Sequence, residues 1–329
     1  MIFIESDSYD PYWNLALEEY VFESLPKNQD YFLLWQNDNA VIVGKFQNTM
    51  AEIDLDYVEK HGIRVARRLS GGGTVYHDLG NVNYTFITDA GNMEELNLHA
   101  FCEPLQKTLV KLGVPAEISG RNDVLIDGMK CSGSSQYLRK KRVMHHGCVL
   151  FDTDVTILGN ALNYRPEKYV SKATESVRSR VTNISSYMDA SVSVEEFKAL
   201  LKQYMVEGQE LETYVLTDTD RAAIQKLRDE KYSTWEWNFG ASPKYDATVS
   251  EYIEGCGFVE LSYNVEKGII RDFKSQGDYF GSGDPEDLRR KLIGCEIRRD
   301  ALETALRDFP LSHYYSGLTT ERFLDLLLR

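Results

Sequence analysis

The sequence predicts an α+β protein of two domains, and three observations lead to this prediction. The chain has 329 residues, about twice the usual length of a single domain. Short β-rich runs dominate its first half, whereas helical patterns become more frequent later. A break at 240–243 is followed by a compact set of predicted strands and helices. We therefore expect a large domain over residues 1–246 and a small α+β domain over residues 247–329.

A helix and a hairpin are predicted at the start of the chain. Asp10 followed by Pro11 is typical of a helix N-terminus, because aspartate caps free N–H groups and proline fits the first turn. Apolar side chains then recur at helical spacing. Two β-rich runs, 31–35 and 41–43, flank the turn-forming segment 36–39. This order predicts a β-hairpin.

The next segment predicts a helix, a strand and a glycine-rich loop. Residues 54–61 form a short helical pattern, and 63–67 is a β-rich run. The triglycine 71–73 is followed by two further β-rich runs, 74–77 and 82–88, which flank a turn. The glycine-rich loop is therefore expected to lead into a second hairpin and not into a helix.

Later elements are indicated by periodicity, turns and caps. An apolar stripe over 98–112 predicts a helix, and Asp127-Gly128 between two β-rich runs predicts a third hairpin. Ser193 and Glu196 have the spacing of a capping box. The remaining predictions are strands over 144–151, 258–263 and 269–273, and helices over 193–205, 220–231, 284–292 and 299–308.

Composition and charge narrow the class of protein. With 43% hydrophobic and 27% charged residues, the chain is expected to be an ordered globular protein. Its formal net charge of −14 opposes long-range attraction to nucleic acid or to an anionic membrane surface. No apolar stretch approaches the length of a membrane span, and no signal peptide is expected. Five scattered cysteines without a CxxC pair indicate reduced thiols, so we expect a cytoplasmic protein.

The glycine-rich loop is the most informative segment. Three glycines allow a ligand to approach the backbone closely, and Arg67 and Arg68 beside them could hold phosphate or carboxylate oxygens. The alternative is an ordinary turn with two solvated arginines. The absence of a glycine-lysine pair followed by serine or threonine excludes a P-loop. The absence of a following helix excludes a dinucleotide-binding site.

Further segments carry candidate functional residues. Lys130, on a predicted hairpin strand, could direct its charge into a cleft or lie solvated at the surface. His146 and Cys148 share one face of a strand and could bind a metal or form a cysteine–histidine nucleophile. No second ligand pair accompanies them, and a cysteine is commonly a packed core residue. The polar segment 176–183 and the basic segment 139–142 suit a binding loop and a patch for an acidic partner, or two solvated loops.

In this order, the segments resemble the lipoate-protein ligase A family. The resemblance spans nearly the whole chain and rests on the motifs at 6–11 (SDSYDP), 67–73 (RRLSGGG), 76–81 (YHDLGN), 120–123 (GRND), 130–133 (KCSG), 145–147 (HHG), 176–183 (SVRSRVTN) and 235–240 (WEWNFG). Together these motifs are highly specific. The resemblance implies a mixed-sheet catalytic domain of the biotin and lipoate ligase type, related to class II aminoacyl-tRNA synthetases, with a small C-terminal accessory domain.

The activity that the resemblance implies is ATP-dependent ligation. Lipoate is activated as lipoyl-AMP, and the lipoyl group passes to a lysine of an acceptor protein. Carried over residue by residue, the implied ATP and adenylate contacts are Arg68, Gly73, Thr74, Val75, Tyr76 and Lys130. The implied lipoate contacts are Trp35, Ser70, Gly71, Gly72, Lys130 and His146, with Lys130 as the catalytic residue. Mg²⁺ is implied with ATP and needs no protein cage, because phosphates and water supply most of its ligands.

The implied partners are lipoyl-domain acceptor proteins, either E2 subunits of 2-oxoacid dehydrogenases or the H protein of glycine cleavage. Three positions depart from the family pattern: Lys45 stands where arginine is commoner, Cys131 where valine or isoleucine is usual, and Cys148 where threonine or serine is usual. The cysteines leave open an ATP-independent lipoyl or octanoyl transferase with a cysteine nucleophile. A non-catalytic acyl-binding protein is a third alternative. The preferred acceptor, the use of octanoate and the oligomeric state stay open.

Overall fold

The computed structural model of the chain describes residues 1–47, 49–90, 98–120, 122–162, 181–189, 191–239, 247–266 and 268–328. Its strands are β1 Ile2–Glu5, β2 Tyr31–Trp35, β3 Ala40–Val43, β4 Arg64–Arg67, β5 Val75–His77, β6 Asn81–Asp89, β7 Ala116–Ser119, β8 Asp123–Ile126, β9 Met129–Arg139, β10 Arg142–Leu150, β11 Glu212–Thr213, β12 Ala247–Ile253, β13 Gly257–Glu266 and β14 Ile269–Gly277. Its α-helices are α1 Pro11–Glu23, α2 Thr49–Glu52, α3 Leu55–Lys60, α4 Leu98–Lys111, α5 Val155–Ala161, α6 Val194–Tyr204, α7 Asp218–Leu227, α8 Trp235–Asn238, α9 Pro285–Leu292, α10 Arg299–Leu306 and α11 Thr320–Leu327.

Three sheets organise the described part of the chain. Eight strands form a mixed sheet in the order β11-β1-β2-β6-β10-β9-β8-β7, with the long antiparallel strands β6, β10 and β9 near its centre. Strands β4, β3 and β5 form a second sheet. The glycine-rich loop joins β4 to β5, so this second sheet holds both ends of the loop. Strands β12, β13 and β14 form an antiparallel sheet near the C-terminus.

Apolar side chains cover both faces of the eight-stranded sheet. On one face, Leu105 of α4 and Phe197 of α6 belong to the same buried cluster as Tyr84 of β6. On the other face, Leu15 of α1 and Ile224 of α7 share a cluster with side chains of β2 and β6. Successive strand residues point to opposite faces, so neighbours on one strand lie in different surroundings.

Several local predictions are confirmed. Helix α1 begins with Asp10 as its cap, and α6 has the predicted capping box between Ser193 and Glu196. The hairpin of β8 and β9 turns through Asp127 and Gly128, whose φ angles are 51° and 76°. Positive φ at both central residues matches the twist of the flanking strands, which explains why this dipeptide is a reliable hairpin signal.

The other two predicted hairpins are wrong. Strands β2 and β3 lie in different sheets, as do β5 and β6. Strand β2 is buried along its length and pairs with β1 and β6 instead. After β2, buried Asn37 is hydrogen-bonded to Asn14 and His77, and these contacts direct the chain into the second sheet. Between β5 and β6, the carbonyl of Gly80 accepts from the N–H of Asp152 at 2.9 Å, which ties the turn to the segment after β10.

The basic segment 139–142 is only partly a solvated turn. Lys140 and Lys141 form the exposed turn between β9 and β10. Arg142 is buried, and its guanidinium lies 5.5 Å from the ring centroid of Tyr31. The hypothesis of a four-residue basic patch is therefore wrong, because one of its four charges is inside the protein.

Some predictions fall outside the described residues. These are Arg121, most of the polar segment 176–183, and the domain boundary at residue 246, which stays a prediction. The apolar cluster of the C-terminal sheet includes Phe46 from the N-terminal part of the chain. No described helix is long and apolar enough to cross a membrane.

Candidate active site

A cavity of about 440 Å³ opens between the glycine-rich loop, strands β9 and β10, and the C-terminal part of the chain. The predicted site residues that line it are Trp35, Arg68, Gly72, Gly73, Thr74, Val75, Lys130 and His146. Ser70, Gly71 and Tyr76 lie outside its lining. The fold thus brings most of the predicted site residues, which are distant in sequence, to one space.

Arg68 holds the backbone of the glycine-rich loop in place through hydrogen bonds. Its guanidinium donates to the carbonyl oxygens of Gly71 at 2.7 Å and Gly73 at 2.8 Å. It also donates to the carbonyl of Ile42 at 3.1 Å and to the hydroxyl of Ser70 at 3.2 Å. Burial lowers the pKa of Arg68 to about 10, so the side chain stays cationic at neutral pH. A fixed positive charge therefore underlies the loop backbone that faces the cavity.

Arg67 does not act as a second anion-binding arginine of this cavity. Its side chain lies outside the lining and donates to the carbonyl oxygens of Gly44 at 2.8 Å, Gln47 at 2.8 Å and Asn238 at 3.0 Å. Burial lowers the pKa of Arg67 to about 10. The expectation that both arginines hold ligand oxygens here is wrong, because Arg67 holds the turn after β3 against α8.

Lys130 projects from the wall formed by β8 and β9. Its ammonium nitrogen lies 2.8 Å from Oδ1 of Asp123, and the two side chains are 35% and 34% exposed. A Cβ atom on Gly133 would lie 2.7 Å from the same nitrogen, so a glycine at this position leaves room for the lysine chain. A half-exposed ion pair is weak enough to exchange partners, so Lys130 can turn from Asp123 to an anionic ligand.

A chain of hydrogen bonds behind the cavity wall joins α1 to the glycine-rich loop. His146 lies with Nδ1 2.9 Å from a carboxylate oxygen of Glu18 and with Nε2 2.5 Å from the hydroxyl of Ser70. Thr85 donates to Glu18 at 2.5 Å, and Trp35 Nε1 donates to the hydroxyl of Thr85 at 2.9 Å. All five side chains are buried. The network therefore fixes Trp35 and His146, two of the predicted lipoate contacts.

The C-terminal part of the chain closes over the glycine-rich loop. The N–H of Gly72 donates to the carbonyl of Tyr279 at 3.2 Å. A Cβ atom on Gly71 would lie 2.5 Å from that carbonyl oxygen, so this approach requires glycine. The C-terminal residues that line the cavity are Tyr252, Asp278 and Phe280. None of the three belongs to a motif, and the sequence gives no signal for their position.

Glu18 is a missed residue for which a sequence signal exists. It lies three positions after Leu15 and four before Phe22, so helical spacing places it on an apolar face of α1. Glu18 is 1% exposed. An acid on the buried face of a predicted helix requires a partner inside the protein, and this could have indicated the network with His146.

Tyr76 directs its side chain away from the cavity. It belongs to a separate apolar cluster, and its hydroxyl donates to Oδ1 of Asn39 at 3.1 Å. Burial raises the pKa of Tyr76. Its predicted contact with the adenylate therefore depends on its backbone.

The two cysteines that depart from the family pattern lie in different surroundings. Cys148 lines the cavity, half-buried, with Sγ 3.7 Å from the carbonyl oxygen of Gly133. Cys131 is buried in the apolar cluster of the opposite face, and burial raises its pKa to about 12. The Cys131 thiol is therefore protonated at neutral pH. In the described part of the chain, no three histidine, cysteine, aspartate or glutamate side chains lie together to hold a metal ion.

The fold and this cavity together are those of a mixed-sheet catalytic domain of the lipoate ligase type. The chain belongs to the family of lipoyl protein ligases. A family model described as the lipoyl protein ligase A/B catalytic domain matches residues 10–206. A second one, described as the bacterial lipoate protein ligase C-terminus, matches residues 242–327.

Individual relatives extend this comparison. Lipoate-protein ligase LplJ of Bacillus subtilis (strain 168) is 41% identical over 331 residues, which cover 99% of this chain and 100% of the relative. The structure of P. falciparum LipL1 in complex with lipoate has a TM-score of 0.80 at 22% identity, covers 99% of this chain and 98% of its own, and shows the fold. A structure of lipoate-protein ligase A bound with ATP has a TM-score of 0.61 at 27% identity and covers 73% of this chain and 98% of its own.

Proposed function

We propose that this chain is an ATP-dependent lipoate-protein ligase. It activates lipoate as lipoyl-AMP and transfers the lipoyl group to a lysine of an acceptor protein. The observation that carries the proposal is one cavity with Arg68 beneath its glycine-rich loop and Lys130 on the opposite strand wall. The full-length similarity to a lipoate-protein ligase supports the substrate, and the ATP-bound relative supports the nucleotide.

The first step joins two anions, and the cavity supplies the charge that this requires. A carboxylate oxygen of lipoate attacks the α-phosphorus of ATP, a C–O–P bond forms, and the bond to the pyrophosphate leaving group breaks. Arg68 and Lys130 offset the repulsion between carboxylate and phosphate as charge develops at phosphorus. In this step Lys130 leaves Asp123 and binds an oxygen of the lipoate carboxylate and an oxygen of the α-phosphate. It is the catalytic residue of this step.

The binding contacts are those that the family resemblance implies, and most of these residues line the cavity. We assign ATP and adenylate to Arg68, Gly73, Thr74, Val75, Lys130 and the backbone of Tyr76, which lies outside the lining, and lipoate to Trp35, Ser70, Gly71, Gly72, Lys130 and His146. Trp35 offers apolar surface to the lipoyl chain. Ser70 and Gly71 lie behind the lining and act by holding His146 and the loop in place. Buried hydrogen bonds keep this wall fixed before the substrate arrives.

The second step requires that the acceptor lysine is correctly positioned, and it requires no reactive group of the enzyme. The mixed anhydride reacts readily with an amine, so a deprotonated acceptor lysine attacks the lipoyl carbonyl and AMP leaves. No nucleophile of the enzyme takes part, and proximity provides most of the acceleration. The acceptors are lipoyl-domain proteins, either E2 subunits of 2-oxoacid dehydrogenases or the glycine cleavage H protein.

Mg²⁺ accompanies ATP in this proposal. It binds mainly through phosphate oxygens and water, and needs one or two carboxylates from the protein. The acidic side chains that line the cavity, Asp123 and Asp278, fit that requirement. The ion would neutralise charge on the triphosphate.

The alternative of a cysteine-dependent transferase finds little support. A nucleophilic cysteine needs thiolate character. Burial in an apolar cluster raises the pKa of Cys131, which removes that character. Cys148 faces the cavity, but the residues around it are those of the proposed adenylate site.

The test is lipoate-dependent exchange of labelled pyrophosphate into ATP. A ligase incorporates label when lipoate, ATP and Mg²⁺ are present and loses this activity when lipoate is omitted. A transferase shows no exchange and moves octanoyl or lipoyl groups between proteins without ATP. A binding protein shows neither activity.

A further inference from the structure

A second cavity of about 250 Å³ lies between the turn after β3 and the C-terminal strand β14 with helix α9. Lys45 and Gln47 line it from the turn, and Lys274 and Arg289 line it from the C-terminal part. The residues assigned to lipoate and ATP do not line this second cavity. It is therefore a separate space, which we call the seam cavity.

The seam cavity is cationic in an acidic protein. Its charged lining residues are Lys45, Arg67, Lys274, Arg289, Glu236 and Glu286, which together give a net charge of +2. The chain as a whole carries −14. Arg67 is hydrogen-bonded to backbone carbonyls and Arg289 is paired with Asp272, whereas Lys45 is the lining cation best placed to meet a ligand; Lys274 adds a further positive charge to the lining. Local charge of this sign attracts small anions against the field of the whole protein.

Lys45 has no carboxylate partner in the described part of the chain. Its ammonium lies 5.3 Å from the ring centroid of Phe46 and 5.7 Å from that of Tyr137. The side chain is half-buried. Burial lowers the pKa of Lys45; Asp284 opposes this shift, whereas Lys231 and Arg139 add to it. A partly desolvated cation between aromatic rings gains from an anionic partner.

Gln47 supplies a second and independent observation. Its Oε1 accepts from the N–H of Gly44 and from the hydroxyl of Thr74, each at 2.9 Å. This assignment leaves Nε2 as a donor. Gln47 is 2% exposed, and its Nε2 has no partner among the described residues. A buried donor without an acceptor costs free energy, and an anion in the seam cavity would supply the missing acceptor.

We propose that the seam cavity binds a small tetrahedral oxyanion, inorganic phosphate or pyrophosphate, through Lys45, Gln47 and Lys274. The lysines neutralise its charge, and Nε2 of Gln47 donates to one of its oxygens. The ligand contacts both the turn after β3 and strand β14, so it joins the N-terminal and C-terminal parts of the chain. The hydrogen bond between Gln47 and Thr74 connects it to the glycine-rich loop.

The test must separate this site from the active site, which also binds phosphate groups. The substrate cavity is first filled with lipoate and α,β-methylene-ATP, which also occupies the triphosphate position and cannot transfer its adenylyl group. Inorganic phosphate and pyrophosphate are then titrated separately by calorimetry. We expect one anion to bind per chain with Kd near or below about 1 mM. Binding of both anions indicates a general phosphate site, and binding of pyrophosphate alone indicates a site for the reaction product.

Variants in which a lysine is replaced by a neutral residue identify the side chains that bind the anion. Lys45→Gln and Lys274→Gln should each weaken binding about tenfold or more, the usual effect of losing a charged hydrogen bond. Lys45→Arg should retain binding. The matched control is Lys202→Gln, because Lys202 is also half-buried over an aromatic ring, 3.9 Å from the ring centroid of Phe3, and should leave binding unchanged.

Two results would overturn the proposal. One is no anion binding to the wild-type protein at about 10 mM ligand, well above the expected Kd. The other is equal binding by wild type and both lysine variants. If one variant does not fold, the other decides. Binding of lipoate and α,β-methylene-ATP is measured in the same experiment and tests the ligase proposal separately.

Discussion

His145 and His146 are neighbours on β10 and lie on opposite faces of the eight-stranded sheet. His145 is fully buried, and its ring stacks on that of Phe101 with 5.1 Å between centroids. His146 is hydrogen-bonded to Glu18 and Ser70 beside the substrate cavity. The same residue type thus serves packing on one face and the candidate active site on the other.

The difference between these faces separates two kinds of effect. A substitution on the face of His145, the packed face, should change the free energy of unfolding and leave adenylate formation nearly unchanged. Substitution of a half-exposed residue on the face of His146, the cavity face, should slow adenylate formation and leave the free energy of unfolding nearly unchanged. Substitution of a residue in the buried hydrogen-bond network of His146 should change both quantities, because this network stabilises the fold and also forms a wall of the cavity.

Lys130→Ala should show the largest effect, confined to the cavity face. Adenylate formation should fall by about 10²- to 10³-fold, the usual cost of removing one preorganised electrostatic donor. The melting temperature should change little, because the Lys130–Asp123 pair is half-exposed. Lys107→Ala, which removes a lysine paired with Glu103 at 2.7 Å, is the matched control and should keep wild-type rates.

Glu18→Gln should combine both kinds of effect. Thr85 and His146 both contact Oε1 of Glu18, and His146 Nδ1 also lies 3.1 Å from Oε2, so an amide nitrogen at the Oε2 position brings its N–H group against the donating Nδ1 of His146. We expect a loss of about 1–3 kcal/mol in the free energy of unfolding, measured with urea. The KM for lipoate should rise as His146 loses its fixed orientation. An unchanged stability with unchanged KM would show that the network is not formed in solution.

His145→Phe tests the packed face through pH. Burial lowers the pKa of His145 to about 3, so the unfolded chain takes up a proton near its ordinary pKa of 6.5 and the folded chain does not. The contribution of neutral His145 to the free energy of unfolding is therefore fully present above pH 6.5. It is lost as pH falls toward 3, at about 1.4 kcal/mol per pH unit. The variant should reduce this slope and keep adenylation. Buried His77, whose pKa is also lowered to about 3, accounts for a remaining slope.

The cysteines should show the smallest effects on either face. Cys148→Ser on the cavity face and Cys131→Val on the packed face should each keep most ligation activity, because adenylate chemistry uses no enzyme nucleophile. The buried exchange at Cys131 should cost less than about 1.5 kcal/mol of stability. A loss of activity together with an acyl thioester trapped at either wild-type cysteine would favour the transferase.

Sequence signals succeeded where their cause is local. The cap at Asp10, the capping box at Ser193 and the turn at Asp127-Gly128 each depend on neighbours in the chain, and the structure confirms them. The partners of β2 and β5 depend on distant strands, and both predicted hairpins failed there. The predictions of active-site residues divide in the same way, between local motifs and contacts with distant residues.

The sequence motifs correctly indicated most of the residues that meet in one cavity, whereas other residues of this cavity belong to no motif. Glu18 contacts His146 across 128 residues, and Phe280 reaches the glycine-rich loop from the C-terminal part. Such contacts are made by the tertiary fold, and no local pattern records which distant side chain will complete a cavity. Arg67 shows the reverse case, since a residue inside the motif is bonded to backbone carbonyls outside the cavity.

The most direct test of the proposed ligase mechanism compares two rates in the Lys130→Ala variant. One is lipoate-dependent exchange of pyrophosphate into ATP, and the other is transfer to an acceptor lysine from preformed lipoyl-AMP. We expect exchange to fall by about 10²- to 10³-fold and transfer to fall much less, because Lys130 stabilises the charge that develops in the first step. Exchange at the wild-type rate would contradict this mechanism and show that the proposed active site is misplaced.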